Sequence, residues 1–180
     1  MIKYKLTGQN IRTHNGFLWV VGERQTIDTP TSRLCSEGVF HYYASPEQAV
    51  LFNPIHADIH TPRLWEVDID KEVIFDGAKG GCHSMTLLRE LSLPEISLTQ
   101  RAEVAIRCVL LVYTDSEFLL WATRWLSGED RTAYSASAAA DAADAADAAA
   151  AYSASAAARS AVDGVQAILV DVLRRAEEND

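Results

Sequence analysis

Residues 2–6, Ile-Lys-Tyr-Lys-Leu, alternate lysine with apolar or aromatic side chains, the period-2 pattern of a half-buried strand. Turn chemistry follows at Gly8-Gln9-Asn10 and at His14-Asn15-Gly16, because Asn-Gly reaches positive φ at little cost. The apolar run 17–21 predicts a second strand closed by Gly22, and segments 34–35 and 39–43 predict a hairpin turning at Glu37-Gly38. In Ser45-Pro46-Glu47-Gln48 the serine is the N-cap, the proline suits the first turn and the glutamine completes a capping box, so a short helix over 46–51 is predicted. It should end before Asn53-Pro54, since a residue preceding proline avoids the α region. Clean alternation over 64–69 predicts a strand with one wet face. Residues 73–75 extend the sheet, 76–81 read as a flexible loop and 85–91 as a last strand.

At Ser97 the period changes from two to that of a helix. Ser97-x-x-Gln100 is a second capping box, and Val104, Ile106, Val109, Leu110 and Tyr113 follow on a helix of about 16 residues. Thr114-x-x-Glu117 opens another helix over 118–126, with Gly128 as its C-cap and Phe118, Trp121 and Trp125 on one packing side. Over 129–176 only Gly164 interrupts a strongly helical composition. Propensity alone allows one helix of about 45 residues there, approaching 70 Å, and a bend at its serines gives a broken helix pair instead. Within it, Tyr134-Ser-Ala-Ser-Ala-Ala-Ala returns as Tyr152-Ser-Ala-Ser-Ala-Ala-Ala, 18 residues later. That interval is about five whole turns, which puts both tyrosines on one face. Val162, Val165, Leu169, Val172 and Ala176 step by 3-4-3-4, a short heptad seam. An alanine face buries little area but lets backbones approach closely, so such a helix needs a neighbour to be more than a solvated rod. That neighbour is its own domain, a different protein or another copy of itself; the last is the preferred expectation, a homo-oligomer joined through Val162, Val165, Leu169 and Val172. The fold class is α+β: a small mixed or antiparallel β-sheet domain with short helices over 1–96 and a helical pair packed on it over 97–128. A long alanine-rich helix, or a bent pair, follows over 129–180 as an oligomerisation or spacer segment.

Composition adds constraints. The chain has 180 residues and 48% apolar side chains, enough for one domain with a real core and an appendage. Net charge is −9, and residues 127–180 carry ten carboxylates against four arginines. Such a chain is repelled by phosphate backbones and anionic bilayers, so neither nucleic acid nor membrane is expected as a partner. The alanine run is no membrane span, because Asp141, Asp144 and Asp147 are prohibitive in hydrocarbon. Cys35, Cys82 and Cys108 are odd in number, widely spaced and free of any C-x-x-C, which points away from a disulfide framework and toward a reduced, cytoplasmic protein. The first residues carry no apolar signal-peptide core.

Four constellations bear on chemistry. In His56-Ala57-Asp58-Ile59-His60 an extended backbone points His56, Asp58 and His60 to one face, with alternate positions about 6.6 Å apart, a spacing that suits two ligands on one metal. No zinc signature accompanies it. The ordinary account is a polar loop whose histidines cap backbone groups, and neither a metal nor a cofactor is expected. Cys35 with His41 or His83 has the residue types of a nucleophile and its base, although nothing local marks the cysteine as activated. Asp76-Gly-Ala-Lys79-Gly-Gly has the composition of a phosphate-cradling loop but not the P-loop order or its following helix. Asp141, Asp144 and Asp147 drift around a helix as solubilising charge and do not converge on calcium. A candidate ligand pocket draws on His14, His41, His56, Arg63 and Trp65.

Tyr4-Lys-Leu-Thr, Gly16-Phe-Leu-Trp-Val-Val-Gly22, Cys35-x-x-Gly38-x-x-His41-x-Tyr, Pro46-x-x-Ala49-Val-Leu, Asn53-Pro-Ile-His-Ala57 and Arg63-Leu-Trp-Glu-Val67 occur in this order. The pattern resembles a family of uncharacterised proteins encoded by tailed phages and prophages, many with an alanine-rich repeat near the C-terminus. The resemblance spans nearly the whole chain and implies a viral setting in the host cytoplasm and a part in the phage–host contest. It carries no catalytic role to any residue. The expected function is a non-enzymatic phage accessory protein that binds a host protein or a small molecule, sequestering or blocking a host component. The rival expectations are a small-molecule or nucleotide-directed enzyme with a histidine-containing pocket, and a structural virion or assembly component.

Overall fold

The computed structural model describes residues 1–111, 113–132, 164 and 167–173. In order come β1 (Ile2–Thr7), a 3-10 turn (His14–Gly16), β2 (Arg24–Thr26), β3 (Phe40–Tyr42), α1 (Pro46–His56), β4 (Arg63–Ile69), β5 (Ile74–Phe75), β6 (Gly80–Cys82), β7 (Ser84–Leu91), α2 (Leu98–Leu110) and α3 (Ser116–Ser127). The class is α+β, with two antiparallel sheets of order β1-β4-β7-β2 and β3-β6-β5. The chain divides into two compact units, Met1–Ile96 and Ser97–Asp180.

In the first unit the two sheets join into one ring. β6 runs into β7 with only His83 between them. At the other side, Tyr4 and Tyr43 exchange two backbone hydrogen bonds of 3.0 and 2.8 Å, linking β1 to the end of β3. Inside the ring Trp19, Phe40, Tyr42, Trp65, Val67, Ile69, Cys82, Met85 and Leu87 form one apolar cluster. Outside it, α1 covers β1 through a second cluster of Leu6, Tyr43, Ala49 and Leu64. β1 is thus buried on both faces from Lys5 to Thr7, and Lys5 is not on a wet side.

Local signals place most elements. Ser45 caps α1 by accepting from the Gln48 N–H, while Gln48 Oε1 accepts from the Ala44 N–H, one residue before the position that the predicted capping box requires. The helix nevertheless runs past Asn53-Pro54 to His56. Proline that close to the end forfeits one hydrogen bond, and Asn53 offsets it: its carbonyl accepts from the Ala57 and Asp58 N–H groups, and its amide both donates to and accepts from Ile59. Because His56 is helical and Asp58 sits at φ 48, the segment 56–60 is not extended, and the alternation that would align His56, Asp58 and His60 is absent. Residues 17–21 are not a strand either. Only Trp19 is buried there, while Phe17, Leu18, Val20 and Val21 stay exposed, and positive-φ residues Asn15, Gly16 and Gly22 break the run at both ends. The predicted hairpin at Glu37-Gly38 forms only its second arm, β3, which pairs with β6 instead. Residues 76–81 are not a flexible loop: a tight turn connects β5 to β6, in which Asp76 Oδ1 accepts from the Ala78 and Lys79 N–H groups.

The second unit follows its signals closely. Ser97 and Gln100 make a reciprocal capping box on α2. Asp115, in place of Thr114, caps α3, and Gly128 ends it in the left-handed region at φ 83. Ile106 packs on Phe118, Ala122 and Trp125. Of the heptad seam, Leu169 and Val172 are buried within the single chain. Val162, Val165, the tyrosine repeat and nearly all of the alanine-rich stretch lie outside the described residues.

Gly80 tests the packing of the ring. A Cβ there would stand 2.1–2.5 Å from the Tyr42 ring, which is fully buried and donates to Glu72 at 2.6 Å. Gly80→Ala is expected to cost about 3 kcal/mol of stability. At Gly8 the new Cβ meets only ordinary contact at 3.6 Å, so Gly8→Ala should stay within about 0.5 kcal/mol. Urea midpoints of the two variants check the contrast.

Candidate functional site

On β1, residues three, five and seven share the face that looks into the ring. Thr7 Oγ1 accepts from the Trp65 indole N–H at 2.9 Å, the Lys3 ammonium lies 5.2 Å from the Tyr42 ring centroid, and the Lys5 ammonium lies 4.9 Å from that of Trp19. Lys5 is 7% exposed and donates to the carbonyl of His41 at 2.9 Å. A lysine in apolar surroundings without a countercharge loses affinity for its proton. Burial accordingly pulls Lys5 from its ordinary 10.5 down to about 8.

His41, held on β3 by its pairing with β6, passes the contact onward. Its Nε2 accepts from the backbone N–H of Cys35 at 3.1 Å. Burial first, then the Lys5 and Lys79 ammoniums and His56, lower the imidazole from 6.5 to about 4, with Asp76 opposing. The ring is therefore neutral at pH 7 and carries its proton on Nδ1. Cys35 is exposed and sits at φ 56 in a loop laced by short polar contacts: Thr31 to Ser36, Ser36 to the Arg33 carbonyl, and the Gly38 N–H to Ser36. Its sulfur accepts from the Lys79 ammonium at 3.2 Å. Lys79 is 8% exposed and is delivered by the Asp76 turn.

Around these groups lie His56, Tyr43 and Gln48. The His56 ring stacks on Phe52 and on Tyr43, with centroids 5.0 and 6.0 Å away, and its Nδ1 is 3.4 Å from the Tyr43 hydroxyl. Burial and the Lys79 ammonium hold His56 below its usual range, while Asp76 pulls it back. Gln48 fastens α1 to the turn, donating to the Gly77 carbonyl at 3.2 Å and accepting from the Ala44 N–H at 2.8 Å. Two buried ammoniums and an exposed thiol thus neighbour the neutral His41 imidazole, contributed by β1, the β5–β6 turn and the Cys35 loop.

Of the five expected pocket residues, His41 and His56 belong to this neighbourhood. Trp65 lies in the core of the ring, and Arg63 stacks on it at 4.8 Å while forming a two-pronged ion pair with Glu90. His14 is exposed on the 3-10 turn and supplies none of the contacts above. Neither histidine acts as a base on Cys35: His41 takes its backbone N–H, and His83 Nε2 meets the Thr31 carbonyl at 2.8 Å. In the Asp76–Gly81 turn the Ala78 and Lys79 N–H groups, which a phosphate cradle would use, are taken by Asp76 Oδ1. Among the described residues no group of three metal-ligating side chains converges, and no helix is long and apolar enough to cross a membrane. No protein-family model, curated protein or solved structure matches the chain.

A folded-state proton affinity below the unfolded one means that the unfolded chain binds more protons, so stability rises with pH between the two values. For Lys5 that window runs from about 8 to 10.5. The unfolding free energy of the wild type, taken relative to Lys5→Met so that tyrosine and other cysteine titrations cancel, should therefore rise by about 3 kcal/mol across it. Chemical denaturation of both proteins at pH 7, 9 and 10.5 measures this, and a flat difference would show that Lys5 is not held as a buried charge.

Proposed function

We propose that the first unit is a non-enzymatic binding module for a small anionic molecule, held between Lys79, Lys5 and the His41 Nδ1–H. One observation carries this: Lys5 and Lys79 are both more than nine-tenths buried, and neither has a carboxylate partner among the described residues. An unpaired buried cation is costly, and either deprotonation or an anion relieves it. Lys5 has the Trp19 face and a carbonyl to soften the cost. Among the described residues the Lys79 ammonium meets only a sulfur, so its remaining N–H donors are the ones a phosphate or carboxylate would engage.

In the setting implied by the phage resemblance, such a module sequesters a host metabolite or signalling anion, acting as an accessory protein in the infected cytoplasm. The oligomer expected from the heptad seam rests on Val162 and Val165, since Leu169 and Val172 are already covered within one chain. Joined copies would raise the number of sites per particle without altering any one of them.

Inorganic phosphate at millimolar concentration is expected to raise the thermal midpoint of the wild type by a few degrees over chloride at matched ionic strength, following the mass-action stabilisation of a bound native state. Lys79→Met should lose that increment and Lys79→Arg should keep part of it. Equal shifts in wild type and Lys79→Met, read by scanning calorimetry, would sink the proposal.

A further inference from the structure

We infer that Cys35 is a covalent capture site: a nucleophilic thiol that exchanges with small, carboxylate-bearing disulfides, with Lys79 presenting both the sulfur and the incoming negative charge. The chain has three cysteines in different surroundings, all unpaired. Cys82 is fully buried inside the ring, where burial pushes its thiol up to about 12. Cys108 is half-buried on α2, and burial raises it too. Cys35 alone is exposed. Its sulfur is 3.2 Å from the nitrogen of Lys79, a residue that is 8% exposed and has no carboxylate partner among the described residues. The loop that bears it is pinned at a positive φ by the Thr31, Arg33, Ser36 and Gly38 contacts and by His41 on the backbone N–H. The imidazole is thereby occupied, and the thiol faces the ammonium instead of a histidine base.

Exchange needs no further reactant. The Cys35 sulfur attacks one sulfur of the small disulfide, a new S–S bond forms to Sγ, the original S–S bond breaks and the departing thiolate takes up the proton that Cys35 gave away. Cys35 is oxidised to a mixed disulfide and half of the small molecule is reduced to a thiol. The charge preference rests on the anion-binding proposal; the thiol centre itself does not.

The test uses the full chain, oxidised glutathione as the anionic disulfide and hydroxyethyl disulfide as the neutral one, with adducts located by peptide mass spectrometry. Cys35 should take the adduct first, and about tenfold faster from oxidised glutathione than from the neutral probe. That ratio should fall toward one as salt rises to about 1 M, where the screening length is roughly 3 Å. Lys79→Met should slow both reactions and remove the preference, and Lys79→Arg should retain it. Circular dichroism establishes that each variant is folded, and the salt series on the wild type carries the charge test should Lys79→Met unfold. If Cys108 in the native protein reacts as fast as Cys35, the capture site is overturned. If Cys35 is fastest but reacts equally with both disulfides, the thiol centre stands and the anion preference falls, together with the binding proposal above.

Discussion

Tyr4 and Tyr43 exchange two backbone hydrogen bonds, and that pair is what turns two small sheets into a ring. β3 is three residues long and pairs with β6 along one edge. Left there it would be a short strand with an open second edge, the kind that frays or recruits another chain. The link to β1 closes that edge. It also sets the site, because Lys5 is the next residue after Tyr4 and His41 lies two before Tyr43. The 2.9 Å contact from the Lys5 ammonium to the His41 carbonyl is the side-chain continuation of the same strand-to-strand contact. Everything downstream, from the His41 ring to the Cys35 loop to Lys79, inherits its position from that closure.

A chain with net charge −9 is an odd place to look for an anion site, and the two statements concern different distances. Repulsion of a nucleic acid or a bilayer is a property of the whole surface and acts on a partner that covers many charges. At physiological salt, exposed charges are screened beyond about 8 Å. A small anion beside Lys79 therefore feels first the charges that also act on His41, which are the Lys5 and Lys79 ammoniums and, against them, the Asp76 carboxylate.

Features with a local cause were legible along the chain. The Ser45 cap, the Ser97–Gln100 capping box, the β4 and β7 strands and the Gly128 cap each depend on a few consecutive residues, and each appears. The failures have tertiary causes. Alternation over residues 2–6 shows which side chains share a face but not which face is wet, and α1 covering the apolar side of β1 reverses the default for Lys5. Asn53 rescues a helix that its own proline would end, through a clamp on Ile59 that composition does not announce. His41 and His56 were visible as chemistry-bearing residues, whereas Lys79 was visible only within a loop of phosphate-cradling composition that lacked the P-loop order. That its ammonium meets a sulfur 44 positions away depends on the β5–β6 hairpin and the Cys35 loop coming together. Arg63 and Trp65 were drawn to the pocket by adjacency along a strand, yet the indole belongs to the core and the guanidinium to Glu90.

The two buried lysines do different work. Lys5 has a carbonyl and an aromatic face, so its charge is tolerated and its job is to hold the His41 segment to β1. An ammonium has three donors, and for Lys79 one of them meets sulfur, a weak acceptor, while none meets a carboxylate among the described residues. The anion proposed above would therefore add to the lysine whose donors are least used and displace no contact on which β1 and β3 rely.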